Sequence, residues 1–222
     1  MPRRIKLAIF DLDQTLINTI KRAYFVYNYA RRKLGLNSIN WEVFYTRFKD
    51  DRLGEDIPKD LERTFWEIFR TKYCEIIADE DKPIEGAENV LKTLKDAGIK
   101  IIVTTGRRCT PQEVWKELKK FGLSEYIDDV YTAMGYDHKE DIPFERSTLL
   151  MAILEKYQIS PDEAVFIADY FPDMYAGKKV GILTIGVKTG LKSERSLKEH
   201  GADYVIESIC SLLDLLKEIG VL

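Results

Sequence analysis

A chain of 222 residues, 45% of them hydrophobic, has room for one large domain or a domain with an insert and is too apolar for disorder. Its 34 Lys and Arg against 37 Asp and Glu leave a net charge of −3, which excludes a protein held to nucleic acid by a global positive charge. No apolar run is long enough to span a membrane, the run after Arg3 and Arg4 is too short for a signal-peptide core, and Cys74, Cys109 and Cys210 show neither CxxC spacing nor a disulfide framework, so the expectation is a cytoplasmic protein in a reducing compartment.

Residues 5–10 form a short apolar run that stops abruptly at Asp11. It is rich in strand formers and too short for a helix, which predicts a buried strand. Past Thr15 the pattern turns helical. Helices are expected over 20–34, with Gly35 as the stop, and over 41–48. On a third helix Leu61, Phe65, Ile68, Phe69, Ile76 and Ile77 recur at helical spacing. Residues 79–83 read as a linker. Beyond Ile84, helices near 87–97, 111–121, 147–157, 172–179 and 208–219 alternate with strands at 99–105, 129–132, 164–168, 182–186 and 203–206. This alternation predicts an α/β fold, a doubly wound parallel sheet covered on both faces. Residues 18–81 interrupt it directly after the first strand, so 1–17 with 82–222 form the expected α/β core and 18–81 a helical insert. The insert's aromatics, among them Tyr24, Phe25, Tyr27, Trp41, Phe44, Phe65, Trp66 and Phe69, are assigned to helix–helix packing rather than to a stacking platform.

In open parallel sheets, ligands bind beyond the carboxyl ends of the strands. The first strand ends at Asp11, with Asp13 two residues on; the second ends at Thr104-Thr105-Gly106; the fourth ends at Asp169, with Asp173 four residues on. Carboxylates gathered in one cleft repel each other, and a divalent cation that prefers oxygen ligands, Mg²⁺ above all, relieves the repulsion. Carboxylates, Mg²⁺ and a hydroxyl donor together point to phosphoryl transfer rather than to glycoside or peptide chemistry.

Asp11-Leu12-Asp13-Gln14-Thr15-Leu16 resembles motif I, DxDxT, of the haloacid dehalogenase-like hydrolase superfamily. Thr105 at the end of its apolar strand resembles motif II, and Ala168-Asp169-Tyr170-Phe171-Pro172-Asp173 resembles motif IV, GDxxxD. The similarity runs over nearly the whole chain. The insert stands where a C1-type cap stands, and the layout is nearest to the phosphoglycolate phosphatase-like members. The resemblance implies an Mg²⁺-dependent phosphatase that hydrolyses a small phosphate monoester, a phosphorylated metabolite, through a covalent aspartyl-phosphate. It makes Asp11 the nucleophile and Asp13 the group that protonates the leaving group and then takes a proton from water. Asp13 also speaks against dehalogenation, since the family's dehalogenases lack this second acid. Mg²⁺ would be held by the Asp11 carboxylate, the Asp13 backbone carbonyl and Asp169, with Asp173 direct or through water. Thr105 would bind a phosphoryl oxygen, with Thr104 as the alternative. Gln14 and Ala168 stand where many members have Gly, departures that the pattern tolerates. For the motif III cation, Lys139 is favoured over Arg146: counted back from Asp169, the first is slightly far and the second slightly near.

Three other readings are weighed. A β-phosphoglucomutase-like phosphomutase would use the same acids, though no cap signature for it is present. A non-catalytic phosphate-binding module is disfavoured by the retention of both Asp11 and Asp13. A dinucleotide enzyme is disfavoured because no GxGxxG follows the first strand. Arg107 and Arg108 could reach an anionic substrate but are read as a solvated loop, Cys109 is read as an ordinary loop thiol over one activated by the neighbouring arginines, and Asp173 is compatible with capping the helix that follows the fourth strand.

Overall fold

The computed structural model describes residues 4–135 and 146–222. In chain order the elements are β1 (Leu7–Asp11), β2 (Ile17–Asn18), α1 (Ile20–Lys33), α2 (Trp41–Lys49), α3 (Lys59–Glu75), β3 (Lys82–Pro83), α4 (Ala87–Asp96), β4 (Lys100–Thr105), α5 (Pro111–Lys120) and β5 (Asp129–Thr132). They continue with α6 (Arg146–Tyr157), β6 (Ala164–Ala168), α7 (Phe171–Val180), β7 (Leu183–Val187), α8 (Glu194–Glu199), β8 (Tyr204–Ile206) and α9 (Leu212–Glu218).

Six strands form one parallel sheet in the order β5-β4-β1-β6-β7-β8. All five residues of β1 are buried because both faces of the sheet are covered. Side chains alternate along a strand, so Ala8 and Phe10 pack on one face with Leu91 and Leu94 of α4, Val114 and Leu118 of α5, and Leu212 and Leu216 of α9. Leu7 and Ile9 pack on the other face with Leu149, Leu150 and Ile153 of α6, Met174 of α7 and Leu197 of α8. The chain runs outward from β1 to β4 and β5, then returns to the far side of β1 for β6, β7 and β8. That reversal opens a crevice at the carboxyl end of β1.

Helices α1, α2 and α3 build a separate apolar cluster from Ala23, Val26, Tyr27, Ala30, Phe44, Phe65 and Tyr73. Tyr27 meets Phe44 and Phe65 with ring centroids 5.6 and 5.1 Å apart, so these rings form a helix–helix core. Phe25 departs from the expectation and is exposed. The two crossings between this unit and the sheet domain lie side by side, because β2 and β3 pair antiparallel, Ile17 with Pro83 and Asn18 with Lys82. This two-stranded ladder falls where a linker was expected.

One expectation is overturned. Cys74, at the end of α3, and Cys109, in the loop between β4 and α5, are joined in a disulfide, and Cys210 alone is free. The two partners are 35 positions apart and meet only because the three-helix unit docks on the sheet domain, which spacing along the chain does not reveal. Among the described residues, no helix is long and apolar enough to cross a membrane.

Candidate active site at the strand ends

A cavity of about 490 Å³ lies at the carboxyl edge of the sheet, roofed by the three-helix unit. The sheet domain lines it with Asp11, Asp13, Thr105, Arg107, Arg146, Asp169, Asp173, Gly190 and Lys192, and the helical unit adds Phe48, Asp51, Trp66, Arg70, Tyr73 and Cys74. Five of the residues expected at the site, Asp11, Asp13, Thr105, Asp169 and Asp173, thus share one cavity. Lys139 lies outside the described residues. Arg146, the alternative cation, opens α6 and enters the cavity.

The Arg146 guanidinium organises one half of the site. It donates from Nη1 to Thr104 Oγ1 at 2.7 Å and from Nη2 to Asp11 Oδ1 at 3.0 Å, and its Nε pairs with Asp173 Oδ1 at 3.0 Å. Thr104 is therefore engaged in holding the arginine, while Thr105 reaches the cavity. Asp173 makes no cap for α7, whose N-cap residue Tyr170 has no side-chain cap bond; it faces Arg146 instead. Burial is the largest influence on Asp11 and, although Arg146 opposes it, combines with Asp173 and Asp13 to push the carboxyl up to about 8. Burial, with the charges of Asp11 and Asp173, raises Asp169 well above the carboxylate range. Burial raises Asp173 too, against the pull of Arg146. These three acids share a low-dielectric pocket with too little positive charge to keep all of them ionised. Among the described residues, no group of three or more His, Cys, Asp or Glu side chains stands placed to hold a metal ion. The donor set at this end of the cavity is nevertheless all oxygen, and its unrelieved negative charge fits a hard divalent cation such as Mg²⁺.

Asp13 has the opposite environment. Arg107 grips it at both oxygens, from Nε to Oδ2 at 2.8 Å and from Nη2 to Oδ1 at 2.7 Å. Thr19 and Tyr73 donate to Oδ1 at 2.6 and 2.9 Å. Burial alone would raise this carboxyl, but the charge and hydrogen bonds of Arg107, with help from Arg22 and Thr19, outweigh it and hold Asp13 well below the usual range. Arg107 is itself backed by Glu117 on α5, Nη1 to Oε2 at 2.6 Å. Glu117 also receives Arg22 of α1 at 2.6 and 3.0 Å, and Arg22 reaches on to Asp81 at 2.7 Å. A buried chain of alternating charges thus runs from Asp13 to the base of the helical unit.

Two backbone features shape the floor. Gln14 sits at φ 57°, the left-handed region that glycine enters without strain. It turns the chain so that its N–H donates to the Ile17 carbonyl at 2.7 Å. Gly190 follows β7, and an ideal Cβ there would stand 1.8 Å from Asp169 Oδ2, so only glycine lets that loop pass behind the carboxylate.

Sequence reasoning missed Arg107 as a site residue. It is only 8% exposed, not in a solvated loop, and its one signal was its place two residues after Thr105. Tyr73 and Lys192 gave no signal at all. Lys192 bridges the two units by pairing with Asp51 at 2.7 Å and donating to the carbonyls of Phe48 and Lys49 at 3.0 and 2.9 Å.

The likeness to known proteins agrees with this arrangement. Residues 8–187 match the family model described as haloacid dehalogenase-like hydrolase. The chain is 30% identical over 229 residues to pyrophosphatase PpaX of Bacillus mycoides strain KBAB4, covering 98% of this chain and 99% of that one. It is 29% identical over 229 residues, with the same coverage, to pyrophosphatase PpaX of Bacillus cereus strain G9842. A haloacid dehalogenase-like family hydrolase from Streptococcus pneumoniae shares the fold at a TM-score of 0.79 and 18% identity, over 96% of this chain and 98% of that one. With the acids of DxDxT and the later acid pair lining one cavity beneath a helical unit, the chain belongs to the haloacid dehalogenase-like hydrolases and is an enzyme of their phosphatase kind.

Proposed function

We propose that this phosphatase is Mg²⁺-dependent and hydrolyses a small phosphorylated metabolite through an aspartyl-phosphate formed on Asp11, with residues 18–81 acting as a cap over the reaction. The observation that carries this reading is the meeting of Asp11, Asp169, Asp173, Arg146 and Thr105 at one strand-end cavity. The cytoplasm, where small phosphate compounds are turned over, is its proposed compartment.

In the first step a carboxylate oxygen of Asp11 attacks phosphorus and the leaving group departs. Arg146, already bonded to Asp11, offers charge to the phosphoryl oxygens, and the Thr105 hydroxyl adds a hydrogen bond. Arg146 is thus assigned the role of the motif III cation. In the second step Asp13 takes a proton from the water that attacks the phosphorylated Asp11. Its grip by Arg107 keeps it ionised and fixes its orientation, while lowering its basicity. Bound Mg²⁺, held by the Asp11 carboxylate, the Asp13 backbone carbonyl and Asp169, with Asp173 in support, would neutralise charge on the transferring phosphoryl group. The cap excludes water from the cavity and meets the leaving group.

Inorganic pyrophosphate is the first candidate substrate. The PpaX relatives are pyrophosphatases by name, and Arg70 of the helical unit lines the cavity, beside Arg107 and Lys192, which line it paired with acids. A departing phosphate also leaves as a stable anion, so its departure depends little on a proton from Asp13. The test is phosphate release from pyrophosphate and from a panel of phosphomonoesters, with and without Mg²⁺, by the wild type and by Asp11→Asn. Mg²⁺-dependent release that vanishes in folded Asp11→Asn is expected. Equal release by the variant refutes Asp11 as the nucleophile, and transfer of the phosphoryl group to a sugar in place of water would make the enzyme a mutase.

A further inference from the structure

The Cys74–Cys109 disulfide plays no part in the chemistry described above, yet each of its cysteines is a near neighbour in the chain of a group that holds Asp13. Tyr73 precedes Cys74 in α3, and Arg107 lies two residues before Cys109. Both donate to Asp13. The disulfide also alters what the cap can do. The chain crosses between cap and core only at the paired strands β2 and β3, and two adjacent crossings leave a hinge free to turn. A covalent tie from α3 to the β4–α5 loop adds a third point of attachment, at a different place on the core, and removes that freedom. Other ties between cap and core among the described residues include ion pairs such as Lys192 with Asp51, which, unlike a covalent bond, can break and re-form.

We propose that Cys74 and Cys109 form a reversible redox-modification site, at which a dithiol reductant cuts the cap–core tie and so frees the cap to open. The proposal rests on the reading of residues 18–81 as a cap. Access favours one direction of attack. Cys74 is half-buried and lines the cavity, whereas Cys109 is 2% exposed within the apolar core. A thiolate of the reductant attacks Cys74 Sγ; the protein S–S bond breaks, Cys109 leaves as a thiolate and takes up a proton, and a mixed disulfide forms at Cys74. The second thiolate of the reductant attacks its own sulfur in that mixed disulfide, releasing Cys74, which takes up a proton in turn. The reductant ends as a disulfide, and the protein has gained two electrons and two protons. Re-oxidation by a disulfide of the same class reverses the exchange. In the cytoplasm, where disulfides are seldom permanent, such a pair responds to redox poise.

The test uses the full chain treated with oxidised or with reduced dithiothreitol. Alkylation followed by intact mass measurement should label one thiol, Cys210, in the oxidised protein and three in the reduced. Reduction should raise amide exchange in the β2–β3 hinge and in the facing helices. It should also raise the turnover of pyrophosphate about tenfold where cap opening limits the rate. Cys109→Ser, with Cys109→Ala as a second variant in case the first folds poorly, should stay at the reduced rate and exchange pattern in both buffers. Three labelled thiols in the oxidised protein overturn the proposal. So does identical exchange and turnover in the two redox states. Labelling and amide exchange do not depend on catalysis, so an inactive protein that still shows both changes refutes the substrate reading and leaves the redox site standing.

Discussion

Gly190 offers a direct test of whether Asp169 works where it stands. In Gly190→Ala the added Cβ would lie 1.8 Å from Asp169 Oδ2, 2.5 Å from its Cγ and 2.6 Å from its Cβ. Ordinary non-bonded contact needs about 3.5 Å, so the overlap with the carboxylate approaches 2 Å. Rotating the carboxylate does not relieve it, because the Asp169 Cβ, close to the backbone, is also in the way. Either the loop after β7 or the end of β6 must move. Such overpacking costs about 1–3 kcal/mol, which for a chain of this size lowers the melting temperature by about 2–12 °C. The displacement of Asp169 is on the order of 1 Å, enough to cost about 100-fold in turnover at a site that depends on its placement. The Mg²⁺ concentration for half-maximal activity should rise as well, since Asp169 is one of the proposed ligands. Thermal melts and Mg²⁺ titrations of phosphate release measure the two effects separately. Gly54→Ala is the control: its Cβ would meet Glu62 Oε1 at 3.8 Å and Trp66 Cζ2 at 4.0 Å, ordinary contacts, and both assays should match the wild type. Wild-type turnover with an unchanged Mg²⁺ requirement in Gly190→Ala refutes the assignment of Asp169.

Arg107→Gln leaves the nearly buried Glu117 and Asp13 without the cation between them; a loss of about 3–5 kcal/mol is expected by denaturant unfolding, and a loss below 1 kcal/mol would mean that solvent already screens the network. Cys109→Ser opens a loop of 35 positions, worth up to about 4 kcal/mol, so it should unfold at lower denaturant than the wild type in oxidising buffer and match it in reducing buffer; equal midpoints in both buffers refute the tie. The metal-free protein should lose stability as pH rises. Asp11, Asp169 and Asp173 are raised in the folded state, so above about pH 4 the folded protein holds protons that the unfolded chain has released, and that stabilisation is full below the ordinary 3.8 and is lost as pH climbs through about 8, the value for Asp11. Each such proton contributes a slope of up to about 1.4 kcal/mol per pH unit, while Asp13, shifted downward, stays ionised across this window and adds none. Urea unfolding at pH 5 and pH 8 in chelator should show the slope, saturating Mg²⁺ should flatten it, and a flat profile in chelator sinks the argument.

The sheet and the acids at its edge were legible because both depend on local pattern. A strand buried on both faces must be an unbroken apolar run, as Leu7 to Phe10 is, and the charge that ends it, Asp11, is conspicuous for that reason. Ladder β2–β3 was not legible. Each strand has two residues, one of them Pro83, and only the docking of the helical unit brings them together. Arg107 shows the same limit more sharply. In the sequence it is one arginine in a Gly-Arg-Arg loop; its burial is decided by Asp13, 94 positions away, and by Glu117, nearly two turns inside the helix that follows. The pairing of Cys74 with Cys109 likewise depends on how α3 meets the β4–α5 loop, a contact between units that no periodicity encodes. The choice between Lys139 and Arg146 turned on a count of residues across a variable loop. Geometry places Arg146 beside Asp11, and Lys139 falls outside the described residues.

A buried ionic chain ties the helical unit to Asp13. Asp13, Arg107, Glu117, Arg22 and Asp81 alternate in sign, and each interior member has a charged neighbour on both sides. Such a chain is poor evidence for stability, since apolar residues of similar volume would pack as well. What it supplies is geometry. Arg22 belongs to α1, directly after the hinge strand β2, and Asp81 immediately precedes β3, so the far end of the chain is anchored at the pivot. The near end is the Asp13 carboxylate. A turn of the cap displaces residues near the pivot least and those far from it most. In the proposed opening of the cap, the ion pairs around Arg22 would persist, while the distant contact of Lys192 with Asp51 would break. Tyr73 of α3 belongs to this pivot-side network: its hydroxyl donates to Asp13, and the guanidinium carbons of Arg22 and Arg107 lie 5.2 and 5.1 Å from its ring centroid. Asp13 is thus held by Arg107 from the sheet domain and by Thr19 and Tyr73 from the helical side, and the Cys74–Cys109 tie follows Tyr73 directly and Arg107 by two residues along the chain.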